Sequence, residues 1–105
     1  MIKVREDNDR AGRSPYASWF ERLNAQAAAK VAVALTRLTL GNFSNVKGAG
    51  SGLLECRIDF GPGYRVYLGK DGDSLVILLG GGNKKRQQQD IQAALSRWQD
   101  YKQRK

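Results

Sequence analysis

The alternation of apolar and polar residues predicts two antiparallel strands in the second half of the chain. Residues 54–60 and 64–68 both alternate with period 2, and the turn sequence Gly61-Pro62-Gly63 joins them. The apolar positions, which we expect to face a core, are Leu54, Cys56, Ile58, Phe60, Tyr64, Val66 and Leu68. The intervening positions, which we expect to be exposed on the opposite face, are Glu55, Arg57, Asp59, Arg65 and Tyr67.

Two further strands are predicted from other patterns. The run 75–79 is apolar throughout, which is typical of a strand that is buried on both faces, and the glycines at 80–82 are expected to end it. Asp71-Gly72 predicts a hairpin before this run. Near the N-terminus, Ile2 and Val4 alternate with charged residues and predict a short first strand.

Amphipathic segments predict three helices. The first begins at Ser14-Pro15, and the second covers about 25–40, where Asn24 either caps the helix or lies in a bend. Gly41 is expected to end the second helix. The third covers about 87–103. Residues 41–52 are rich in glycine and predict a connecting loop, because a phosphate-binding loop would end in Lys-Ser or Lys-Thr and lead into a helix.

The order of elements, β-α-α-β-β-β-α, predicts a single α+β domain over residues 1–105. We expect a mostly antiparallel four-stranded sheet with an N-terminal helical hairpin and a C-terminal helix.

The composition indicates a strong positive charge and argues against several kinds of site. The 105 residues include 18 Lys and Arg against 10 Asp and Glu, a net charge of +8, which favours a polyanionic partner or serves solubility alone. With no histidine and one cysteine, we expect no zinc site, no intrachain disulfide, no metal and no cofactor. No signal peptide or long apolar run occurs, so we expect a cytoplasmic protein without membrane contact.

A cationic face is predicted from the polar residues of two strands and from the basic segment that follows the last strand. These residues are Glu55, Arg57, Arg65, Tyr67 and the segment 84–86 (KKR). One interpretation is a solvated face with cross-strand ion pairs, and the other is a site for phosphoryl chemistry. Guanidinium groups stabilise the charge that develops when a 2′-hydroxyl attacks its phosphate. Tyr67 can orient that hydroxyl, donate a proton or stack a base, and Glu55 or a lysine can act as the base.

Two segments, GLLECRIDFGPGYRVYLGKDGDSLVILLGGGNKK and QQQDIQAALSRWQDYK, resemble the RelE/ParE superfamily of bacterial toxins. The closest resemblance is to the HigB-like group of addiction module killer proteins, and it spans nearly the whole chain. It implies a RelE-like toxin fold and the function of a toxin in a type II toxin–antitoxin system. The implied activity is that of a ribosome-dependent mRNA interferase, a metal-independent endoribonuclease that cleaves mRNA and inhibits translation. The implied partners are the ribosome, mRNA and a cognate helix-turn-helix antitoxin.

The resemblance also suggests roles for individual residues. Arg65 matches the arginine that contacts the scissile phosphate, and Arg57 matches a cationic position on the preceding strand. The predicted catalytic residues are Arg57, Arg65, Tyr67 and Lys85, and the predicted RNA-binding residues are Lys47, Glu55, Lys84 and Arg86. Which member of the 84–86 segment supplies a further catalytic cation stays open. Several HigB-like relatives use histidines, which this chain lacks. Two alternatives are a ParE-like inhibitor of DNA gyrase and a non-catalytic nucleic-acid-binding relative.

Overall fold

The predicted helices and strands are present, together with one additional strand, in a computed structural model that describes residues 1–105. The elements are β1 (Lys3–Glu6), α1 (Pro15–Glu21), α2 (Ala25–Thr39), β2 (Val46–Gly50), β3 (Leu53–Ile58), β4 (Tyr64–Lys70), β5 (Leu75–Asn83), a 3-10 turn (Lys84–Arg86) and α3 (Gln87–Arg104). The strand order is β1-β5-β4-β3-β2, with β1 parallel to β5 and the other pairs antiparallel. The α+β class is therefore confirmed, whereas the expected four-stranded sheet has five strands.

The additional strand, β2, lies within the segment that was predicted to be a loop. It forms one edge of the sheet and pairs with β3, so that Lys47 lies opposite Glu55. Its sequence, VKGAG, has one β-branched residue, Val46, and no aromatic residue, and its register shifts between Gly48 and Gly50. The pairing therefore depends on the neighbouring strand more than on local preference.

The interior strand β5 does not end at its glycines but continues through them to Asn83. These glycines allow helices to approach both faces of the strand. A β-carbon on Gly81 would lie 2.3 Å from the Trp19 ring of α1, and one on Gly82 would lie 2.0 Å from the Asp90 carboxylate of α3. The glycine run is thus a packing feature and not a strand terminator.

The ends of the first two helices follow the sequence signals. Ser14 accepts a hydrogen bond from the Ala17 backbone N–H, and Asn24 caps α2 in the same way by accepting from Ala27. Gly41 has a φ of +84° just after α2, where the left-handed conformation that ends many helices favours glycine.

Helices cover both faces of the sheet, so the domain has three layers. One core lies between the sheet and α1 and α2, and it includes Tyr16, Val31, Leu38, Cys56, Ile58, Val66, Leu68, Val76 and Leu78. The other core lies under α3 and includes Leu53, Tyr67, Ile77, Leu79, Ala94 and Trp98. No helix is long and apolar enough to cross a membrane.

The second core corrects a prediction about the polar face of β3 and β4. Glu55, Arg65 and Tyr67 were expected to be exposed, but they are buried to 4%, 8% and 1% exposure. The alternation correctly places these side chains on one face, and α3 with its flanking turn then covers that face. Arg57, nearer the end of β3, and Asp59, just beyond it, stay exposed.

Candidate nucleic-acid interface

An open cleft of about 380 Å³ lies where β3, β4 and the 3-10 turn meet the loop that precedes β2. We call it the first cleft. Four of its ten lining residues are cations, namely Lys47, Arg57, Arg65 and Lys84, and Asp59 is the only acidic one. Its residues carry a net charge of +3, so the cleft favours an anionic ligand. Four of the eight predicted site residues thus line one cleft.

Glu55 lies beside this cleft and holds its two arginines. Its Oε2 atom accepts a hydrogen bond from Arg65 Nε at 2.6 Å and a longer one from Arg57 Nε at 3.4 Å. The side chains of Glu55 and Arg65 are 5% and 9% exposed, whereas that of Arg57 is 47% exposed. Of the two interpretations of this face, the one with cross-strand ion pairs holds for Arg65 and Glu55, but their ion pair is buried and not solvated.

Holding both arginines by Nε has a chemical consequence for the cleft. The carboxylate occupies one edge of each guanidinium group and leaves Nη donors available for another acceptor. Arg65 Nη1 is buried and has no hydrogen-bond partner. Because a buried charge without full hydrogen bonding is costly, this atom favours an acceptor that carries negative charge.

The aromatic residue in the first cleft is Tyr64, not Tyr67. Tyr64 lies at the start of β4, and its ring contacts Trp19 edge-on at 6.3 Å between centroids. Tyr67 lies under α3, and its Oη atom is buried without a hydrogen-bond partner. Burial, together with the negative charges of Glu55 and Asp90, raises the pKa of Tyr67 to about 12. Tyr67 is therefore a neutral phenol at physiological pH, and it does not line the cleft.

The three cations after β5 face two different clefts. Asn83 Oδ1 accepts from the Lys85 backbone N–H at 2.9 Å and fixes the 3-10 turn. Lys84 lies against Gly63 in the first cleft, where a β-carbon on the glycine would be 3.2 Å from Lys84 Cε. Lys85 and Arg86 instead line a second open cleft of about 700 Å³, which also includes Lys84 and the glutamines at 87–89.

Two residues near the site were not predicted. Asn83 caps the basic turn, and an Asn between a glycine run and a helical pattern is a signal that could have identified it. Asp90 lies in the first turn of α3 against Gly82, close enough to Tyr67 to raise its pKa. Burial raises the pKa of Asp90 itself, although the charges of Arg86 and Arg97 oppose that shift. An acidic residue in the first turn of a helix is so common that sequence alone does not single out Asp90.

Comparison with known proteins gives one informative relationship. No protein-family model matches the chain. An uncharacterized protein of Haemophilus influenzae is 46% identical over 78 residues, which cover 73% of this chain and 79% of that protein.

Proposed function

This chain belongs to the same family as that Haemophilus influenzae protein, and we propose that it is the toxin of a type II toxin–antitoxin system with a RelE-like fold. In this proposal it cleaves mRNA on the ribosome without a metal ion and so acts in the cytoplasm. One observation carries the proposal: a buried carboxylate holds two arginines at the edge of an open, cationic cleft.

Preorganised arginines suit the proposed reaction because its transition state gains negative charge. When the 2′-hydroxyl attacks the adjacent phosphorus it gives its proton to water, and charge builds on the non-bridging oxygens. The bond from phosphorus to the 5′-oxygen then breaks, and the 5′-oxygen takes a proton from water, which leaves a 2′,3′-cyclic phosphate and a 5′-hydroxyl. Donors that are already fixed stabilise this charge without reorganising during the reaction. Arg57 is the more accessible of the two arginines, and we assign it to the reacting phosphate together with Arg65.

The remaining residues of the first cleft complete the proposed site. Lys47 and Lys84 neutralise flanking phosphates, and the Tyr64 ring offers a surface on which an unpaired base can stack. Glu55 positions the arginines in this scheme, because its shared oxygen already accepts from both of them. Tyr67 has no direct role, since its hydroxyl lies under α3.

The simplest way for a cognate antitoxin to inhibit this site is to cover the cations of the first cleft. An acidic segment of a helix-turn-helix antitoxin would pair with them and exclude RNA. A small helix-turn-helix reading frame beside the gene would support this part of the proposal.

Mapping of mRNA 5′ ends after induction of the protein in bacterial cells tests the proposed activity. We expect new ends within translated regions from the wild-type protein. Arg57→Ala should reduce cleavage by roughly 10²–10³-fold, as is typical when one charge-stabilising donor is removed. Arg57 is half-exposed, so this variant should fold normally.

The matched control is Arg13→Ala, which removes one exposed arginine whose side chain makes no hydrogen bond or ion pair. It should cleave like the wild-type protein. Growth arrest without new mRNA ends would overturn the nuclease proposal. Inhibition of DNA supercoiling by the purified protein would then favour gyrase as the target.

A further inference from the structure

The second cleft is a neighbour of the first, because Lys84 lines both. Its six lining residues are three cations and three glutamines, and none of them is hydrophobic. The reaction proposed above uses Lys84 alone among these residues. Lys85 and Arg86, both exposed, add two cations to the lining of the second cleft beside Lys84, and neither lines the first cleft.

The lining of the second cleft is held in a defined shape. The Asn83 side chain fixes the Lys85 backbone, and Arg86 Nε donates to Gln89 Oε1 at 2.9 Å. The second bond keeps the guanidinium close to the helix and leaves the two Arg86 Nη groups and the Gln89 amide donor outside that contact. The turn therefore presents several hydrogen-bond donors from short, restrained segments.

The chemistry of the lining selects among possible ligands. Protein interfaces usually depend on buried aromatic or aliphatic anchors, and the second cleft provides none. Three cations beside three amide groups suit a phosphate backbone whose bases carry hydrogen-bonding edges. A nucleic-acid strand fits this surface better than an acidic protein does.

We propose that the second cleft is an extended RNA-binding track, in which Lys85 and Arg86 bind the phosphates that follow the one held in the first cleft. This inference rests on the proposed function, because it assigns the path of the same RNA strand. It gives Lys85 a binding role beside the reacting phosphate and not a catalytic role at it.

The test measures the affinity of purified protein for a fluorescent 2′-O-methyl RNA oligonucleotide, which the proposed reaction cannot cleave, across a series of salt concentrations. Each phosphate contact to a single strand contributes about 0.7 to the slope of log affinity against log salt. The double variant Lys85→Ala with Arg86→Ala should therefore have a slope smaller in magnitude by about 1.4. Its affinity for a dinucleotide that fills only the first cleft should equal that of the wild-type protein.

The double variant Arg10→Ala with Arg13→Ala is the matched control. It removes the same charge from exposed positions outside both clefts, whose side chains form no ion pair. An equal change of slope in both double variants would overturn the track, because only net charge would then matter. An unchanged slope in the Lys85 and Arg86 variant would also overturn it.

The outcomes separate this inference from the proposed function. Only the track is wrong if the wild-type protein cleaves mRNA and Arg57→Ala weakens RNA binding, while the Lys85 and Arg86 variant binds RNA like the wild-type protein. If the track changes the slope as expected but no mRNA is cleaved in cells, the nuclease proposal is wrong and the track stands. If the purified wild-type protein binds no RNA, the track is wrong, and the mRNA 5′ ends in cells decide the nuclease proposal separately.

Discussion

Removing the Glu55 carboxylate should destabilise this protein far more than removing any surface charge. The Arg65 guanidinium is buried, and Glu55 provides its only side-chain hydrogen bond, at 2.6 Å. In Glu55→Ala the arginine stays buried and charged without a partner. Breaking a buried ion pair in this way typically costs about 3–5 kcal/mol of unfolding free energy.

Other contributions to this figure are small. The Arg57 contact with Glu55 is long, and the Arg57 side chain is 47% exposed, so its loss adds less than about 1 kcal/mol. A domain of this size has an unfolding free energy of roughly 5–15 kcal/mol, so the variant loses a large part of its stability. The midpoint of thermal unfolding should fall by roughly 15–25 °C.

Urea denaturation followed by circular dichroism measures the effect, with Asp73→Ala as the control. Asp73 is exposed in the turn between β4 and β5 and makes no ion pair, so its variant should change the unfolding free energy by less than about 0.5 kcal/mol. A second variant tests the cause. Replacing both partners, with Glu55→Leu and Arg65→Met, removes the uncompensated charge and should restore most of the lost stability.

If Glu55→Ala is as stable as Asp73→Ala, Glu55 does not compensate the buried charge of Arg65. If the doubly apolar variant is as unstable as the single one, the loss comes from packing and not from charge.

Two further predictions concern the packing of helices on the sheet. Gly81→Ala should lower the unfolding free energy by about 1–3 kcal/mol, because its methyl group would overlap the Trp19 ring. Gly48 has open space around it, so the unfolding free energy of Gly48→Ala, measured by the same urea titration, should change little. Tyr67→Phe removes a buried hydroxyl without a partner, so it should be neutral or stabilising at pH 7 and should leave mRNA cleavage intact. Folding raises the pKa of Tyr67 to about 12, so the stability that comes from its neutral phenol is complete below about pH 10 and is lost as the pH rises through 12. Tyr67→Phe should therefore lose less stability at pH 11 than the wild-type protein. An equal loss in the two proteins would contradict this assignment.

The sequence was sufficient for those elements whose signals are local. Ser14 marks the start of α1 and Gly41 the end of α2, because a cap and a left-handed residue are properties of single positions. The alternation in β3 and β4 likewise identified which side chains share a face. It could not show whether that face meets water, since the answer depends on where α3 packs, some thirty residues later in the chain.

The same limit explains what was missed at the site. Lys84 and Lys85 are neighbours in sequence, but in the 3-10 turn Lys84 lines both clefts and Lys85 lines the second cleft alone. Tyr64 was assigned to the core from its place in the apolar set, although it also lines the cleft. The glycine-rich edge strand that carries Lys47 forms because it pairs with β3. The local sequence does not predict this pairing.

The parallel pairing of β1 with β5 affects how the chain acquires its structure over time. β3, β4 and β5 are joined by short turns, so their pairing closes small loops, whereas Val4 must find Val76 across most of the chain. We expect the three-stranded meander to form the folding nucleus and β1 to join after the rate-limiting step. Val4→Ala should then speed unfolding and leave the refolding rate nearly unchanged, while Val66→Ala should slow refolding, as stopped-flow kinetics would measure. The N-terminal strand, although synthesised first, would be among the last parts of the sheet to reach its native place.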